Sequence, residues 1–305
     1  MTAQALGPDA AALRRRATGV GSIAIVLWAT LAMGAASTGD IPAFQMTAIT
    51  FLVAGVSIAI TAKLLGRDLT PAVRQPPLAW VLGLTGYFGY HFFYFLAFRL
   101  APSAAVEVNL INYLWPLFIV LFASVGPGRG LGRAQFIGAA AGLIGCFIIV
   151  AGKGGGVSFS VADLPGYASA ATCAVLWAIY SVGAGRFCAN VPTEGVIGHC
   201  FGTAILAGLC HLAFETTVVP SSGQLLAAAL MGFGPMGVAF YVWDYGVKRG
   251  DVQTLGALCY AAPLMSTLLL IGAGMGQGGA HVWAAALFIV GGAAFAGRDL
   301  LKKGG

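Results

Sequence analysis

Charge is the scarcest property of this sequence. Only 26 of its 305 residues are Lys, Arg, Asp or Glu, which is 9%, against a usual share of about 25%. So few charges cannot clothe a soluble domain of this size. Disorder is excluded too, because it needs low hydrophobicity and high charge, and 59% of the residues here are hydrophobic. There is no long polar stretch in which a soluble domain could fold. The GxxxxGK[ST] phosphate loop is missing: Lys153 is followed by Gly and the first glycine is absent. ATP-driven chemistry within the chain is therefore not expected. No HExxH, nucleophile elbow or paired intramembrane aspartate appears, so an intramembrane enzyme has no support, and no channel filter motif is visible. The six cysteines show no CxxC and no Cys/His ligand spacing, so they read as small packing residues. No metal or cofactor is expected.

What is present is long apolar runs and 45 glycines, a composition common in membrane helices that pack closely. Crossing a ~30 Å hydrocarbon core takes about 20 apolar residues. Ten stretches qualify, near 19–38, 43–65, 77–100, 102–125, 132–152, 164–185, 192–214, 223–247, 252–274 and 279–298. The expected fold is an all-α polytopic membrane protein of ten transmembrane helices. Residues 1–18, short, polar and basic, read as a cytoplasmic tail, and 299–305 as a second one.

The cations orient the chain. With the N-terminus in the cytoplasm, Arg14, Arg15, Arg16, Lys63, Arg67, Arg74, Arg129, Arg133, Arg186, Lys248, Arg249, Arg298, Lys302 and Lys303 all fall inside, which is 14 of 16. Arg99 and Lys153 alone fall outside. The positive-inside bias thus supports an even span number with both ends cytoplasmic. Cations dispersed along membrane edges argue against nucleic acid as a partner, and nothing points to an obligate protein partner.

The two halves echo each other. Val26-Leu27-Trp28-Ala29 recurs as Val175-Leu176-Trp177-Ala178, and Gly34 matches Gly183 at the same offset. Tyr113 and Pro116 recur as Tyr260 and Pro263, and the same alignment pairs Tyr94 with Tyr241. The copies lie five spans apart. Because five is odd, the second copy is inverted in the membrane, the signature of secondary transporters with a site between the halves. The repeats are expected over 19–155 and 156–298.

Polar side chains within spans should face protein or a water-filled cavity. Tyr87, Tyr90, His91, Tyr94 and Phe98 form one stripe in the third span, at helical spacing. Asn109, Asn112, Tyr113 and Pro116 share a face of the fourth. Tyr241, Asp244, Tyr245 and Lys248 share one in the eighth, while Trp28 and Trp177 sit at equivalent depth, with Tyr180 and Ser181 beside the latter. Aromatic rings stack on flat groups and attract cations; Asn, Tyr and His bond ammonium or carboxylate. The combination suits an amphipathic, partly aromatic zwitterion. The expected binding residues are Trp28, Tyr90, His91, Tyr94, Asn109, Asn112, Tyr113, Trp177, Tyr180 and Tyr241. Asp244 and Lys248 are four apart and suit an ion pair or inner gate. Glu107 points away from the Asn/Tyr stripe; it could carry a proton, pair with Arg99 or anchor another helix. Pro116 and Pro263 free carbonyls one turn back and read as hinges.

The run Val106-Glu107-Val108-Asn109-Leu110-Ile111-Asn112-Tyr113-Leu114-Trp115-Pro116 resembles the E-V-x-x-x-N-Y-L-W-P run of bacterial aromatic amino acid exporters. These are EamA-like members of the drug/metabolite transporter superfamily. Ser22 to Trp28 and Trp243 to Gly250 are similar to their first and eighth helices. The resemblance implies a basket-like, five-plus-five inner-membrane carrier. It would export Phe, Tyr, Trp and related compounds by alternating access through an aromatic cavity. The matching positions are Trp28, Glu107, Asn109, Asn112, Tyr113, Trp115 and Trp177. Tyr90-His91-Phe92-Phe93-Tyr94 departs from the family pattern, so substrate preference could differ. Efflux of flat organic cations and a membrane enzyme or lipid scramblase are the rival expectations.

Overall fold

A computed structural model describes residues 8–152, 158–274 and 279–297. Lys153, Arg298, Lys302, Lys303, the boundary expected at 155/156 and the expected tail 299–305 lie outside them. All regular structure among the described residues is helical. Nine units are long and apolar enough to cross a membrane: Asp9–Gly34, Ala43–Leu64, Pro77–Leu100, Ala105–Ser124, Arg133–Ala151, Val161–Phe187, Gly195–Phe214, Ser222–Arg249 and Val252–Gly272. A shorter apolar helix, Ala280–Ala296, follows. These are spans 1 to 10. Each agrees with its expected stretch to within a few residues, except the start of span 1.

Span 1 starts earlier than its apolar stretch. The first helix begins at Pro8 and runs to Ala29, so residues 8–18 are helix. Packing against the start of span 9 holds them. Arg14 pairs with Asp251 at 2.6 Å, and the Asp251 amide donates to the Thr18 hydroxyl at 2.8 Å. Asp251 also caps span 9 by accepting from the Thr254 amide. Hydropathy registers the apolar run but not these partners 230 residues away.

Span 1 packs on 8, 3 on 6, 2 on 7, 4 on 9 and 5 on 10. Adding five to each number maps 1–8 onto 6–3 and leaves the other three pairs as themselves. This is the pattern an inverted repeat about one two-fold axis requires. Close approach is built from glycine. A Cβ on Gly138 of span 5 would lie 2.5 Å from the Gly292 carbonyl of span 10, and one on Gly292 would lie 2.7 Å from the Gly138 carbonyl. Any side chain there would force spans 5 and 10 apart.

The helices break at matching places. Span 4 is a helix to Asn112 and a second from Trp115; span 9 is a helix to Leu258 and a second from Ala261. Pro116 and Pro263 lack the N–H that would continue the ladder. The two breaks meet, because the Tyr260 hydroxyl donates to the Tyr113 carbonyl at 2.9 Å and so satisfies backbone exposed by the kink. Spans 3 and 8 each widen into a π turn, at Thr85–Gly89 and Gly234–Val238. Pro235 explains the second. Its carbonyl accepts the Trp28 indole N–H at 3.1 Å, tying span 1 to the irregular turn of span 8.

Candidate functional site

The matching breaks surround a cavity of about 550 Å³, within the range of ligand pockets. Its floor is a nest of rings. Trp28 stands edge-on to Trp177, Trp115 and Phe240, with centroids 5.6, 6.2 and 5.9 Å apart, the geometry that opposes positive ring edges to negative faces. Above the floor lies a polar shelf. Tyr90 and Tyr94 stack with centroids 5.9 Å apart. Asn112 Nδ2 donates to the Tyr90 hydroxyl at 3.1 Å, and the Tyr94 hydroxyl donates to Asn109 Oδ1 at 2.9 Å. Asn112 Oδ1 accepts from Cys173 at 3.1 Å, so both ends of the buried amide are engaged. Thr47, Thr50 and Ser266 add hydroxyls. Among the described residues, no Asp, Glu, Lys or Arg lines the cavity.

The cavity runs from the tryptophans towards Thr38 and Ile41, the end opposite the N-terminus of span 1. Towards the N-terminal end it is sealed. Trp243 lies beneath Trp28, with its indole N–H on Ser181 Oγ at 3.1 Å. Below Trp177, the Tyr180 hydroxyl meets that of Tyr87 at 3.1 Å and donates to Asp244 Oδ1 at 3.2 Å. Asp244 Oδ2 lies 2.7 Å from Lys248 Nζ, and the two side chains are only 1% and 3% exposed. Lys248 also donates to the Val191 carbonyl, Arg249 to Thr193 Oγ1 and Tyr241 to Glu194 Oε1. Span 8 is thus tethered three times to the segment between spans 6 and 7.

Of the expected binding residues, Trp28, Tyr90, His91, Tyr94, Asn109, Asn112, Tyr113 and Trp177 line the cavity, as does Pro263. Tyr180 and Tyr241 do not: the first lies under the floor and the second points to Glu194. A helical face gives direction but not depth, and Tyr180 is nearly a turn below Trp177. Pro116 stays behind the wall as the cause of the break. Glu107 is buried and accepts the Ser158 amide at 2.6 Å; it anchors the segment before span 6 and reaches neither the cavity nor Arg99. His91 Nδ1 is held by the Tyr87 carbonyl at 2.7 Å. Phe240, Met46, Met231 and Met236 line the cavity without having been expected, because an apolar side chain looks the same facing lipid or ligand. Thr47 and Thr50 carried a signal, two hydroxyls three residues apart in a largely apolar span. All six cysteines are free, and five are buried.

This is a multi-pass helical membrane protein built of two like halves around an aromatic cavity. The EamA-like transporter family matches residues 18–151 and again residues 164–298, one match per half, and the chain belongs to that family. It is 49% identical over 283 residues to the aromatic amino acid exporter YddG of Ancylobacter novellus, covering 93% of this chain and 97% of the relative. It is 26% identical over 271 residues to the protein of the same name in Escherichia coli K12, covering 84% and 88%. A solved crystal structure covers 95% of this chain and 100% of its own, with a TM-score of 0.88 and 46% identity.

Proposed function

We propose that this protein exports aromatic amino acids and related amphipathic metabolites across a bacterial inner membrane. Its repeats, 19–155 and 156–298, rock about the broken helices to give alternating access, with both termini cytoplasmic. The observation that carries the substrate class is the cavity's lining, an aromatic floor beneath a Tyr/Asn shelf with no formal charge. A zwitterion is neutral overall and needs no counter-ion there. Its ring stacks on Trp28, Trp115 and Trp177, and its ammonium and carboxylate meet hydroxyls and amides. The names of the relatives agree with this reading. A flat organic cation would also find ring faces, but no carboxylate to offset its charge.

The test is counterflow of labelled phenylalanine in liposomes. Competition by tyrosine, tryptophan and methionine, but not by an aromatic amine lacking a carboxylate, is expected. No phenylalanine flux beside robust flux of a flat cation would overturn the assignment. Trp28→Ala removes ring contacts worth roughly 0.5–1.5 kcal/mol each, so phenylalanine flux should fall at least about tenfold while membrane insertion stays intact. Unchanged flux would remove the tryptophan floor from the binding site.

A further inference from the structure

A zwitterion in a cavity without formal charge is read by hydrogen-bond polarity, and here that polarity is fixed group by group. His91 Nδ1 lies 2.7 Å from the Tyr87 carbonyl, inside the π turn of span 3. A carbonyl oxygen only accepts. Nδ1 therefore carries the ring proton, and Nε2 keeps a bare lone pair. Nε2 has no partner among the described residues. It is not sealed away, as both ring nitrogens of His199 are; His91 lines the cavity, and Nε2 opens to it.

Span 2 adds two more acceptors. It meets His91 through Phe51, with ring centroids 5.1 Å apart. Thr47 and Thr50 line the same cavity, and each gives its hydroxyl hydrogen to its own helix. Thr47 donates to the Ala43 carbonyl at 2.8 Å and Thr50 to the Thr47 carbonyl at 3.2 Å. What these two oxygens have left is lone pairs. Spans 4 and 9 carry the opposite polarity. The Tyr113 and Ser266 hydroxyls line the cavity with no partner among the described residues, and neither is buried out of reach. Their hydrogens are free to donate.

We propose that His91 Nε2 and the Thr47 and Thr50 hydroxyl oxygens form an ammonium subsite, while Tyr113 and Ser266 donate to the carboxylate of the same substrate. This rests on the amino acid reading above and deepens it, assigning the two ends of the zwitterion to different spans. Three acceptors match the three N–H groups of a primary ammonium. A carboxylate turned towards them would meet only lone pairs, so the head group binds in one orientation. An aromatic acid without an amine leaves the His91 lone pair unmet in a desolvated place and is rejected for that reason. The Tyr87 carbonyl acts as a positioning group, because it decides which imidazole nitrogen faces the substrate.

The test uses two substitutions that divide the imidazole between them. His91→Asn keeps an N–H where Nδ1 stands, within reach of the Tyr87 carbonyl, and leaves the cavity without the acceptor. His91→Gln carries a carbonyl oxygen out to where Nε2 stands and gives up the bond to Tyr87. The full-length parent and variants are reconstituted in liposomes. Counterflow of labelled phenylalanine is competed by L-phenylalanine, by 3-phenylpropionate, which lacks the amine, and by N,N,N-trimethyl-L-phenylalanine, which keeps the charge but has no N–H. The parent should prefer phenylalanine to either analogue by at least about tenfold, the value of one charge-assisted hydrogen bond. His91→Asn should lower that preference about tenfold, and His91→Gln should retain most of it. A purely structural role for His91 predicts the reverse order, since only the Asn variant can restore the bond to Tyr87. Thr47→Val, close in shape, should lower the preference several-fold, and it decides the matter if neither His91 variant inserts. Ser266→Ala should weaken phenylalanine and 3-phenylpropionate alike, because both carry the carboxylate. A parent that does not discriminate, or a preference that survives in His91→Asn and Thr47→Val, overturns the subsite and leaves the exporter reading standing. Absent phenylalanine counterflow in the parent overturns that reading and the subsite with it.

Discussion

Spans 3 and 8 hold equivalent places in the two halves, yet their far ends are held by different forces. The matching π turns and the helices that follow them, Tyr90–Leu100 and Ala239–Arg249, put Phe95 opposite Asp244 and Arg99 opposite Lys248. At the end of span 3, Ala97, Ala101 and Ala104 pack on Tyr167 and Ala170, with one side-chain hydrogen bond from span 6, Ser169 Oγ to the Phe93 carbonyl at 2.8 Å. At the end of span 8 stand a buried ion pair and three tethers. Small apolar surfaces part with only a modest loss of packing. A buried ion pair that parts leaves two bare charges in a dry place. The cavity reaches towards the alanine end and is shut at the ionic one. Under the alternating-access reading proposed above, one inverted motif would supply two gates, one held by apolar packing and the other by a buried ion pair.

That contrast can be broken most forcefully at Lys248. Lys248→Met strands Asp244 and should cost about 3–5 kcal/mol, seen as a lower Tm of the solubilised protein. The double variant Asp244→Leu, Lys248→Met should recover most of it. A single variant that melts like the parent would show that the pair does not hold span 8. Next in size is Ala101→Leu at the other gate. Overfilling that contact should cost about 1–3 kcal/mol and bias the gate open, so that a thiol probe reaches the cavity faster from that end. Equal reactivity would mean alanine packing does not set the gate.

Tyr241→Phe removes one tether and leaves Glu194 unbonded on that side. A cost of about 1 kcal/mol should raise access to the cavity from the N-terminal end several-fold. The smallest effect belongs to Glu107→Gln. The amide oxygen still accepts from Ser158, so flux and its pH profile should match the parent. A flattened profile would bring Glu107 into the transport cycle and undo the division of labour between the ends.

Much of this was legible before any coordinates. Span 3 was expected at 77–100 and occupies Pro77–Leu100, because Pro76 and Pro77 bound one end and Pro102 the other. The breaks in spans 4 and 9 were marked by Pro116 and Pro263, and the i,i+4 step of Asp244 and Lys248 already announced their pairing. The two expected residues that lie off the cavity share a cause. Tyr180 and Tyr241 lie on polar faces, but the depth at which the floor closes depends on Trp28, Trp115 and Trp243 arriving from spans 1, 4 and 8. Phe240 and the cavity methionines gave no polar sign at all.

The sequence by itself determined a membrane chain of ten apolar helices, its inverted halves and the residue types facing inward, because hydropathy, proline and helical period are local properties. Only the tertiary structure decided which end is shut and that Glu107 is an anchor. Those outcomes depend on partners 50 to 230 residues apart, and whether a charge is neutralised, buried or free is a property of the partners rather than of the residue.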